Sequence, residues 1–412
     1  MSVKNRKLVL VLVAVFTLLQ IAVLMVFGYT SYDDSDAYIQ IAKDCVACGE
    51  PYPVSTQINE LPFLWNVGAI NAVTASLALF GSITPLLVIY ALLKGLTALL
   101  FYAVSDKLLG QKTALVCLLL YVFYPANYGE ATTTLSELPF VFFIMLGLWM
   151  ALVRNAFLAG GVCMALANWF RPMGLVFMAA VVIYLIYQWR KTPTAVGMRT
   201  FLSQGGKLLA GFALGVCLIG FTAKHRTGLF LYQAKTGWMN LADFYTGRSP
   251  ESLAVRDNEQ WNVSQKDSVW CSFFMQWLKE HPKEYVARMP RKVAETYVSD
   301  NVNMCVFAPD KRYTSVSLRT LIERFPSFSA VQWFTSYNLL YYYFLLFAAL
   351  VSMRRFCMRS YLLPVACILL GTLLLMLVGF HGDARFHQPF MPFIIMLSAL
   401  CFMPAKEAGK AR

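Results

Sequence analysis

The sequence feature that most restricts the fold is a run of uncharged, mostly apolar residues at positions 8–28. A helix of that length spans the roughly 30 Å hydrocarbon layer of a bilayer, where backbone groups must pair within a helix or a closed barrel. The run follows a basic segment and precedes no convincing small-residue cleavage site, so we expect a retained membrane helix. Hydrophobic residues make up 58% of the chain and charged residues only 14%, which predicts that this run is one of many.

Nine further apolar runs occur along the chain. We therefore predict an all-α polytopic membrane protein with about ten transmembrane helices. The predicted spans are 8–28, 85–105, 112–128, 137–153, 156–170, 172–189, 207–223, 331–352, 361–380 and 388–404.

The basic residues fall mainly on one side of this predicted arrangement. If the N-terminus is cytoplasmic, most lysines and arginines of the short loops are cytoplasmic, and the short outer segments hold only Lys43, Arg171 and Arg385. This distribution satisfies the positive-inside rule and places both termini inside. Orientation thus accounts for the net charge of +13, and we predict no nucleic-acid partner.

Two outer segments differ from short loops. Residues 224–330 have mixed charge and several tryptophans, which predicts a helix-rich extracytoplasmic insertion. Residues 61–80 are apolar, but a full crossing there would move the later basic loops outside, so we expect a partly embedded outer segment. The predicted organisation is an N-terminal transmembrane module at 1–223 with an outer loop at 29–84, an extracytoplasmic domain at 224–330, and C-terminal transmembrane helices at 331–412.

Three carboxylates, those of Asp33, Asp34 and Asp36, directly follow the first span. Charge beside a bilayer is costly unless it has a cation, a proton or a function. Asp34 or Ser35 can cap a helix that Gly49 ends, but capping uses one side chain and three acids are present. The helix should lie on the outer surface with one apolar face, formed at i, i+3, i+4 and i+7 by Tyr38, Ile41, Ala42 and Cys45.

Other charged residues fall on the same predicted face. Glu137 opens a span, where it can serve either the helix dipole or a functional site. Arg171 lies between two spans, and His381 and Arg385 lie between the last two. Lys94 is different, because it lies about 14 Å into its span at 1.5 Å per residue and should face a polar cavity or extend toward the interface.

Four cysteines, Cys45, Cys48, Cys271 and Cys305, lie in the predicted outer segments. An oxidising compartment permits disulfides between them, and Cys45-x-x-Cys48 has the spacing of a redox or metal pair. No second such pair supports a zinc site, and Cys45 completes the apolar face. These facts favour packing or a disulfide over a metal.

Several short motifs have the order and spacing of a known family. They are Asp34 four residues before Tyr38, Ile41-Ala42 continuing to Gly49, Ser136-Glu137-Leu138-Pro139-Phe140 at the start of a span, Arg171-Pro172-x-Gly174, Gly237-Trp238-Met239-Asn240-Leu241, Trp277-Leu278-x-x-His281-Pro282, and Arg385-Phe386-x-x-Pro389. In this order the motifs resemble the membrane glycosyltransferases of the GT-C fold, in particular the bacterial aminoarabinose-transferase and protein O-mannosyltransferase superfamily. Each motif is short, so the resemblance rests on their order across most of the chain.

The resemblance implies an enzyme of the bacterial inner membrane with an extracytoplasmic active site. Its partners would be membrane lipids, a polyprenyl-phosphate sugar donor, and a glycan, lipid or protein acceptor. It implies a catalytic carboxylate at Asp34, with Asp33 and Asp36 as alternatives because Ser35 stands where the family often has an acid. Glu137 matches a second acid of the family.

The resemblance also implies how the donor phosphate is held. Arg385 matches a basic position near the lipid-phosphate pocket, and a guanidinium suits this role because it meets two phosphate oxygens. Arg171, Lys94 and His381 are further candidates for this role, and Tyr38 is a substrate-binding candidate through the first motif.

Three questions stay open from the sequence. A divalent ion between Asp34, Asp36 and Glu137 is one alternative, although the family includes metal-independent members. A transporter would use Lys94 and the acids along a pathway, but the charges gather on one face and no internal repeat is evident. A polysaccharide polymerase or ligase of another membrane fold also has a long outer loop with arginine and histidine. The order of motifs favours the glycosyltransferase.

Overall fold

The computed structural model describes residues 3–32, 34–50, 66–191, 193–258, 260–300, 302–307, 329–355 and 362–402. Every regular element in these ranges is helical, which confirms the predicted all-α class. The first helices are α1 (Val3–Phe27), α2 (Ser35–Cys48), α3 (Val67–Phe80), α4 (Thr84–Leu109), α5 (Gln111–Val122), α6 (Glu137–Leu148), α7 (Phe157–Phe170), α8 (Gly174–Lys191) and α9 (Ala195–Thr227). The later helices are α10 (Thr236–Thr246), α11 (Pro250–Asp257), α12 (Val263–Glu280), α13 (Pro282–Tyr297), α14 (Ala330–Arg355), α15 (Leu362–Val378) and α16 (Met391–Leu400).

The apolar helices make this an integral membrane protein. By length and composition, the described helices long and apolar enough to cross a membrane are Arg6–Phe27, Thr84–Leu109, Gly174–Lys191, Val196–Thr227 and Ala330–Arg354. One more crossing results if Pro125–Thr132 and Glu137–Val153, which meet at 112°, form a broken span. Helices α3, α5, α7 and α15 are apolar but shorter. The total of ten crossings stays a prediction.

Helix α5 is shorter than the predicted span 112–128. It ends at Val122, and Pro125 begins a 3-10 turn that leads away from the helix axis. Two side chains of this turn satisfy carbonyl groups at the helix end: Asn127 Nδ2 donates to Tyr121 O at 2.6 Å, and Tyr128 Oη donates to Val122 O at 2.8 Å. The local sequence therefore ends the helix early and turns the chain toward α6.

Glycines allow α7 and α9 to pack backbone against backbone. A Cβ atom on Gly161 of α7 would lie 2.1 Å from Leu208 O, and one on Gly211 of α9 would lie 1.9 Å from Leu158 O. Any larger residue would force the helices apart. Small residues serve this purpose in membrane helix pairs, where close packing supplies much of the association energy.

Helices α10 to α13, which lie within the predicted insertion 224–330, pack around aromatic side chains. Trp270 of α12 is fully buried, and its Nε1 donates to Ser252 Oγ at 3.1 Å. Helix α12 begins with a capping box in which Asn262 and Gln265 exchange side-chain and backbone hydrogen bonds. These features are those of an ordered helical unit.

Helix α13 contacts the segment that connects α15 to α16. Lys292 Nζ donates to Gly379 O at 2.5 Å, and Glu295 Oε2 accepts from Gly382 N at 3.3 Å. Gly379 and Gly382 lie just before the 3-10 segment Ala384–Phe390. Helix α13 thus helps to fix the position of the segment that carries Arg385.

Candidate active site

Glu137 is the centre of a buried group of charges. It is the first residue of α6 and only 5% exposed. Its Oε1 accepts a hydrogen bond from Arg171 Nη1 and another from Arg385 Nε, the latter at 2.7 Å. Arg385 Nη2 also lies 3.1 Å from Asp34 Oδ2. We call Asp34, Glu137, Arg171 and Arg385 the arginine–carboxylate cluster.

The cluster joins four distant parts of the chain. Asp34 precedes α2, Glu137 opens α6, Arg171 follows α7, and Arg385 lies in the 3-10 segment before α16. Both arginines and Glu137 are less than 10% exposed, whereas the Asp34 side chain is 21% exposed. Buried charges require partners, and here each guanidinium meets a carboxylate. The more accessible carboxylate is thus the one a substrate could reach.

Asp34 does not act as a side-chain cap. Helix α2 begins directly after it, yet the Asp34 side chain makes no capping hydrogen bond and is directed to Arg385 instead. The apolar face and the end of α2 match the sequence prediction, because Tyr38, Ile41, Ala42 and Cys45 are buried and Gly49 ends the helix in the left-handed conformation at φ 69°. The ion pair with Arg385 therefore gives Asp34 a role other than helix capping.

The neighbouring acids are placed differently. Asp36 accepts hydrogen bonds from Tyr29 Oη at 2.6 Å and from the Ser31 hydroxyl, and these are its hydrogen-bond partners among the described residues. Asp33 lies outside the described residues. The structure therefore brings Asp34, and not Asp36, into contact with Arg385.

Tyr38 lies close to the two carboxylates of the cluster, Asp34 and Glu137. Its side chain is fully buried in α2, and its hydroxyl oxygen accepts a hydrogen bond from Asn66 Nδ2 at 2.9 Å. Burial raises the pKa of the Tyr38 hydroxyl well above its usual value, and the carboxylates of Asp34 and Glu137 raise it further. The phenol stays neutral at physiological pH and can donate a hydrogen bond.

Lys94 forms a separate pair with Glu130. The Lys94 ammonium group contacts Glu130 Oε2, and both side chains are at most 10% exposed. Glu130 Oε1 also lies 3.5 Å from Asn303 Nδ2. The predicted polar environment of Lys94 is therefore the carboxylate of Glu130, a residue that was absent from the predicted site.

His381 lies apart from the cluster. Its ring contacts Phe380 at 3.9 Å and Phe386 at 5.6 Å between ring centres. Burial lowers the pKa of His381 more than Asp383 and Glu295 raise it. Phe386 also lies 5.4 Å from the Arg171 guanidinium, so these rings extend from the cluster toward the outer segment.

A second buried network, which the sequence did not predict, supports the segment that carries Arg385. His387 Nε2 lies 3.0 Å from Asp300 Oδ1, and its Nδ1 lies 2.7 Å from Thr296 O. Asp300 also accepts hydrogen bonds from the Tyr124 hydroxyl, from Gln388 Nε2 at 2.7 Å and from Asn338 Nδ2 at 3.0 Å. The Nδ1–H group of His387 can donate to Thr296 O, and the oxygens of Asp300 lie within hydrogen-bond distance of four different side chains.

We predict that His387→Leu destabilises the protein by about 1–3 kcal/mol, because it removes a hydrogen-bond partner of the fully buried Asp300 and of Thr296 O. His381→Leu is the matched control. His381 lies six residues earlier, and its side chain makes ring contacts but no hydrogen bond to the described residues. Denaturation of the purified variants in detergent measures the difference. Equal losses for the two variants would show that the Asp300–His387 pair is not the support proposed.

The charges of the cluster suit chemistry at a phosphate ester. Burial lowers the pKa of Arg385 to about 10, with Tyr32 opposing this effect, so the guanidinium stays charged at neutral pH. A guanidinium that already bridges two carboxylates is fixed in orientation before a substrate arrives. Preorganised cations of this kind stabilise charge that develops on a leaving oxygen.

The divalent ion considered from the sequence does not fit this arrangement. Glu137 Oε1 already accepts from two guanidinium groups, and Asp36 is engaged by Tyr29 and Ser31. In the part of the chain that the structure describes, no three His, Cys, Asp or Glu side chains form a group that could hold a metal ion. The four predicted outer cysteines are free thiols, and Cys45 packs in the core.

Known structures with a similar fold include a membrane enzyme of archaea. The oligosaccharyltransferase AglB from Archaeoglobus fulgidus, in complex with an inhibitory peptide and a dolichol-phosphate, matches with a TM-score of 0.55 and 13% identity over 97% of this chain and 50% of that chain. The apo form of the Archaeoglobus fulgidus oligosaccharyltransferase gives a TM-score of 0.54 and 12% identity over 97% and 51%. This chain thus spans about half the length of the oligosaccharyltransferase.

ArnT from Cupriavidus metallidurans, bound to undecaprenyl phosphate, has 13% identity over 95% of this chain and 77% of that chain. Its TM-score of 0.35 is too low to support an argument. No family model matches the sequence, and no curated protein does. The match to the oligosaccharyltransferase, at 12–13% identity, establishes the fold alone. This chain has the fold of the GT-C membrane glycosyltransferases.

Proposed function

We propose that this protein is a membrane glycosyltransferase that moves a sugar from a polyprenyl-phosphate donor to an extracytoplasmic acceptor. The observation that carries the proposal is the arginine–carboxylate cluster, in which Arg385 joins Asp34 to Glu137 on the predicted outer face. The structure of the similar oligosaccharyltransferase is a complex with an inhibitory peptide and a dolichol-phosphate, which supports a lipid-phosphate donor.

In the proposed reaction, an acceptor hydroxyl attacks the anomeric carbon of the sugar. The bond between that carbon and the phosphate oxygen breaks, and its electron pair stays on the phosphate. Asp34 takes up the proton of the acceptor hydroxyl as general base. The Asp34 side chain suits this role because it is the most accessible carboxylate of the cluster.

Proton transfer to Asp34 also changes the charge around Arg385. An ionised Asp34 pairs with Arg385 Nη2, and this pair weakens once Asp34 is neutral. Arg385 can then stabilise the second negative charge that develops on the departing phosphate. Glu137 stays between Arg171 and Arg385 and holds both guanidinium groups in place.

The location of the reaction follows from the predicted topology. We infer that the cluster faces the extracytoplasmic side of a bacterial inner membrane, with ten crossings and both termini in the cytoplasm. The segment 224–330 would then form the extracytoplasmic domain between transmembrane modules at 1–223 and 331–412. Its position beside the cluster suits recognition of a glycan, lipid or protein acceptor.

A release assay tests the function. Purified wild-type protein in lipid nanodiscs is incubated with polyprenyl phosphates that carry different sugars, together with a membrane extract as acceptor. We expect one of these donors to yield free polyprenyl phosphate, with one sugar transferred for each lipid phosphate released. If no donor in the series yields lipid phosphate above a protein-free control, the proposed function is wrong.

A further inference from the structure

A narrow pocket lies beside the arginine–carboxylate cluster, between Arg385, Glu137 and the chain at residues 130–138. The pocket is lined by Glu130, Thr133, Leu135, Glu137, Leu138, Val302, Asn303, Arg385 and Gln388. Lys94 already pairs with Glu130, Arg171 pairs with Glu137, and Arg385 pairs with both Glu137 and Asp34. The charged groups of the wall are therefore balanced, so a small polar group suits this space better than another ion.

Gln388 is the residue of this wall with an unsatisfied polar atom. Its side chain is 5% exposed, and its Oε1 has no hydrogen-bond partner among the described residues. Its Nε2 donates to Asp300 Oδ1 at 2.7 Å. Because a carboxylate accepts hydrogen bonds, this contact fixes which end of the amide is nitrogen and leaves the unpaired atom of this pocket-lining residue as its oxygen.

A buried acceptor without a donor costs free energy in the unliganded protein. The cost is recovered if a bound molecule donates a hydrogen bond to it. Thr133 and Glu130 add further oxygen atoms to the same wall, while Leu135, Leu138 and Val302 are apolar. A group that donates hydrogen bonds is therefore the complement of this pocket.

We propose that the pocket receives one hydroxyl or amino group of the transferred sugar, and that Gln388 Oε1 accepts its hydrogen bond. The inference rests on the proposed function, because it places the sugar beside the phosphate held by Arg385. Gln388 is then a specificity-determining residue: a donor sugar that lacks this group leaves Oε1 unpaired. Sites built to bind a hydroxyl group discriminate strongly against analogues that lack it.

Asn338 offers a matched control. Like Gln388 it is buried and donates from its side-chain amide to Asp300, with Nδ2 at 3.0 Å from Oδ2. Its Oδ1, however, accepts from Ala126 N at 3.0 Å, and Asn338 does not line the pocket. Gln388→Met and Asn338→Leu thus both remove a donor to Asp300, and only the former removes the pocket acceptor.

The experiment measures kcat/KM for the polyprenyl-phosphate sugar that the wild type uses and for a series of its single-deoxy analogues. We expect the wild type to lose about tenfold or more at one position of the sugar. In Gln388→Met the drop in kcat/KM for that analogue should be at most about twofold, because the variant has no Oε1 to bind the deleted sugar group. Asn338→Leu should show the same drop as the wild type. This pattern would support the assignment.

Other outcomes overturn it. If Gln388→Met keeps the wild-type ranking of analogues, or if both variants lose discrimination equally, the pocket does not select the sugar. In either case, turnover by the wild type would still support the proposed function. If the wild type releases lipid phosphate from no donor, the proposed function fails first. Should Gln388→Met not fold, Gln388→Asn replaces it: the shorter side chain moves the amide oxygen away from its present position, and an unchanged ranking of the analogues would count against the proposal.

Discussion

Asp34→Asn is expected to lower sugar transfer by about 10²–10⁴-fold, because asparagine cannot take up the acceptor proton as a carboxylate does. The fold should survive, since asparagine caps a helix about as well as aspartate and Asp34 makes no side-chain cap in any case. The variant should still insert into membranes and bind the lipid donor. Transfer is measured at equal amounts of inserted protein, with donor binding measured in parallel.

Asp36→Asn is the matched control, since Asp36 lies two residues further on and pairs with Tyr29 and Ser31. We expect it to retain most of the transfer activity. Asp33→Asn completes the series at a position outside the described residues. If Asp34→Asn stays active and Asp36→Asn is inactive, the base is Asp36 and the reaction class stands; if all three stay active, the glycosyltransferase proposal should be abandoned.

Arg385→Lys is expected to lower kcat/KM for the lipid donor by about 10²-fold or more, while the protein still folds. Arg385 reaches Glu137 through Nε and Asp34 through Nη2, and a single ammonium group cannot keep both contacts in this geometry. The donor phosphate would also lose the planar fork that can meet two of its oxygens. Donor titration of the purified variant measures the effect.

Arg171→Lys separates geometry from charge. Arg171 contacts Glu137 through one guanidinium nitrogen, a contact that a lysine can replace. We expect it to lose less than Arg385→Lys. An apparent donor affinity that is unchanged in Arg385→Lys, or a larger effect at Arg171, would count against Arg385 as the phosphate-binding residue.

The sequence predicted well those features that depend on neighbouring residues. The apolar face of α2 and its end at Gly49 follow from helical periodicity and from the left-handed conformation that glycine adopts easily. The end of α5 shows the limit of hydropathy, because the run 112–128 is mostly apolar and Pro125 begins the 3-10 turn inside it. A proline this close to a span end is a local signal that a hydropathy pattern does not weigh.

Contacts between distant residues were harder to predict. The depth of Lys94 required a polar partner, but only the fold identifies Glu130 as that partner. Asp300 and His387 are 87 residues apart, and neither lies in a pattern that sets it apart from a surface residue. His387 lies inside the motif Arg385-Phe386-x-x-Pro389, two residues after Arg385. Its closeness to a candidate site residue was the sequence signal that could have pointed to it.

The central claim is that a sugar leaves its polyprenyl phosphate at the arginine–carboxylate cluster. The most direct test is the rate at which free polyprenyl phosphate appears when wild-type protein and Asp34→Asn are given the same donor in the same nanodisc preparation. We predict steady release by the wild type and release at least about 10²-fold slower by Asp34→Asn, with equal donor binding. Equal rates of release by the two proteins would contradict the claim.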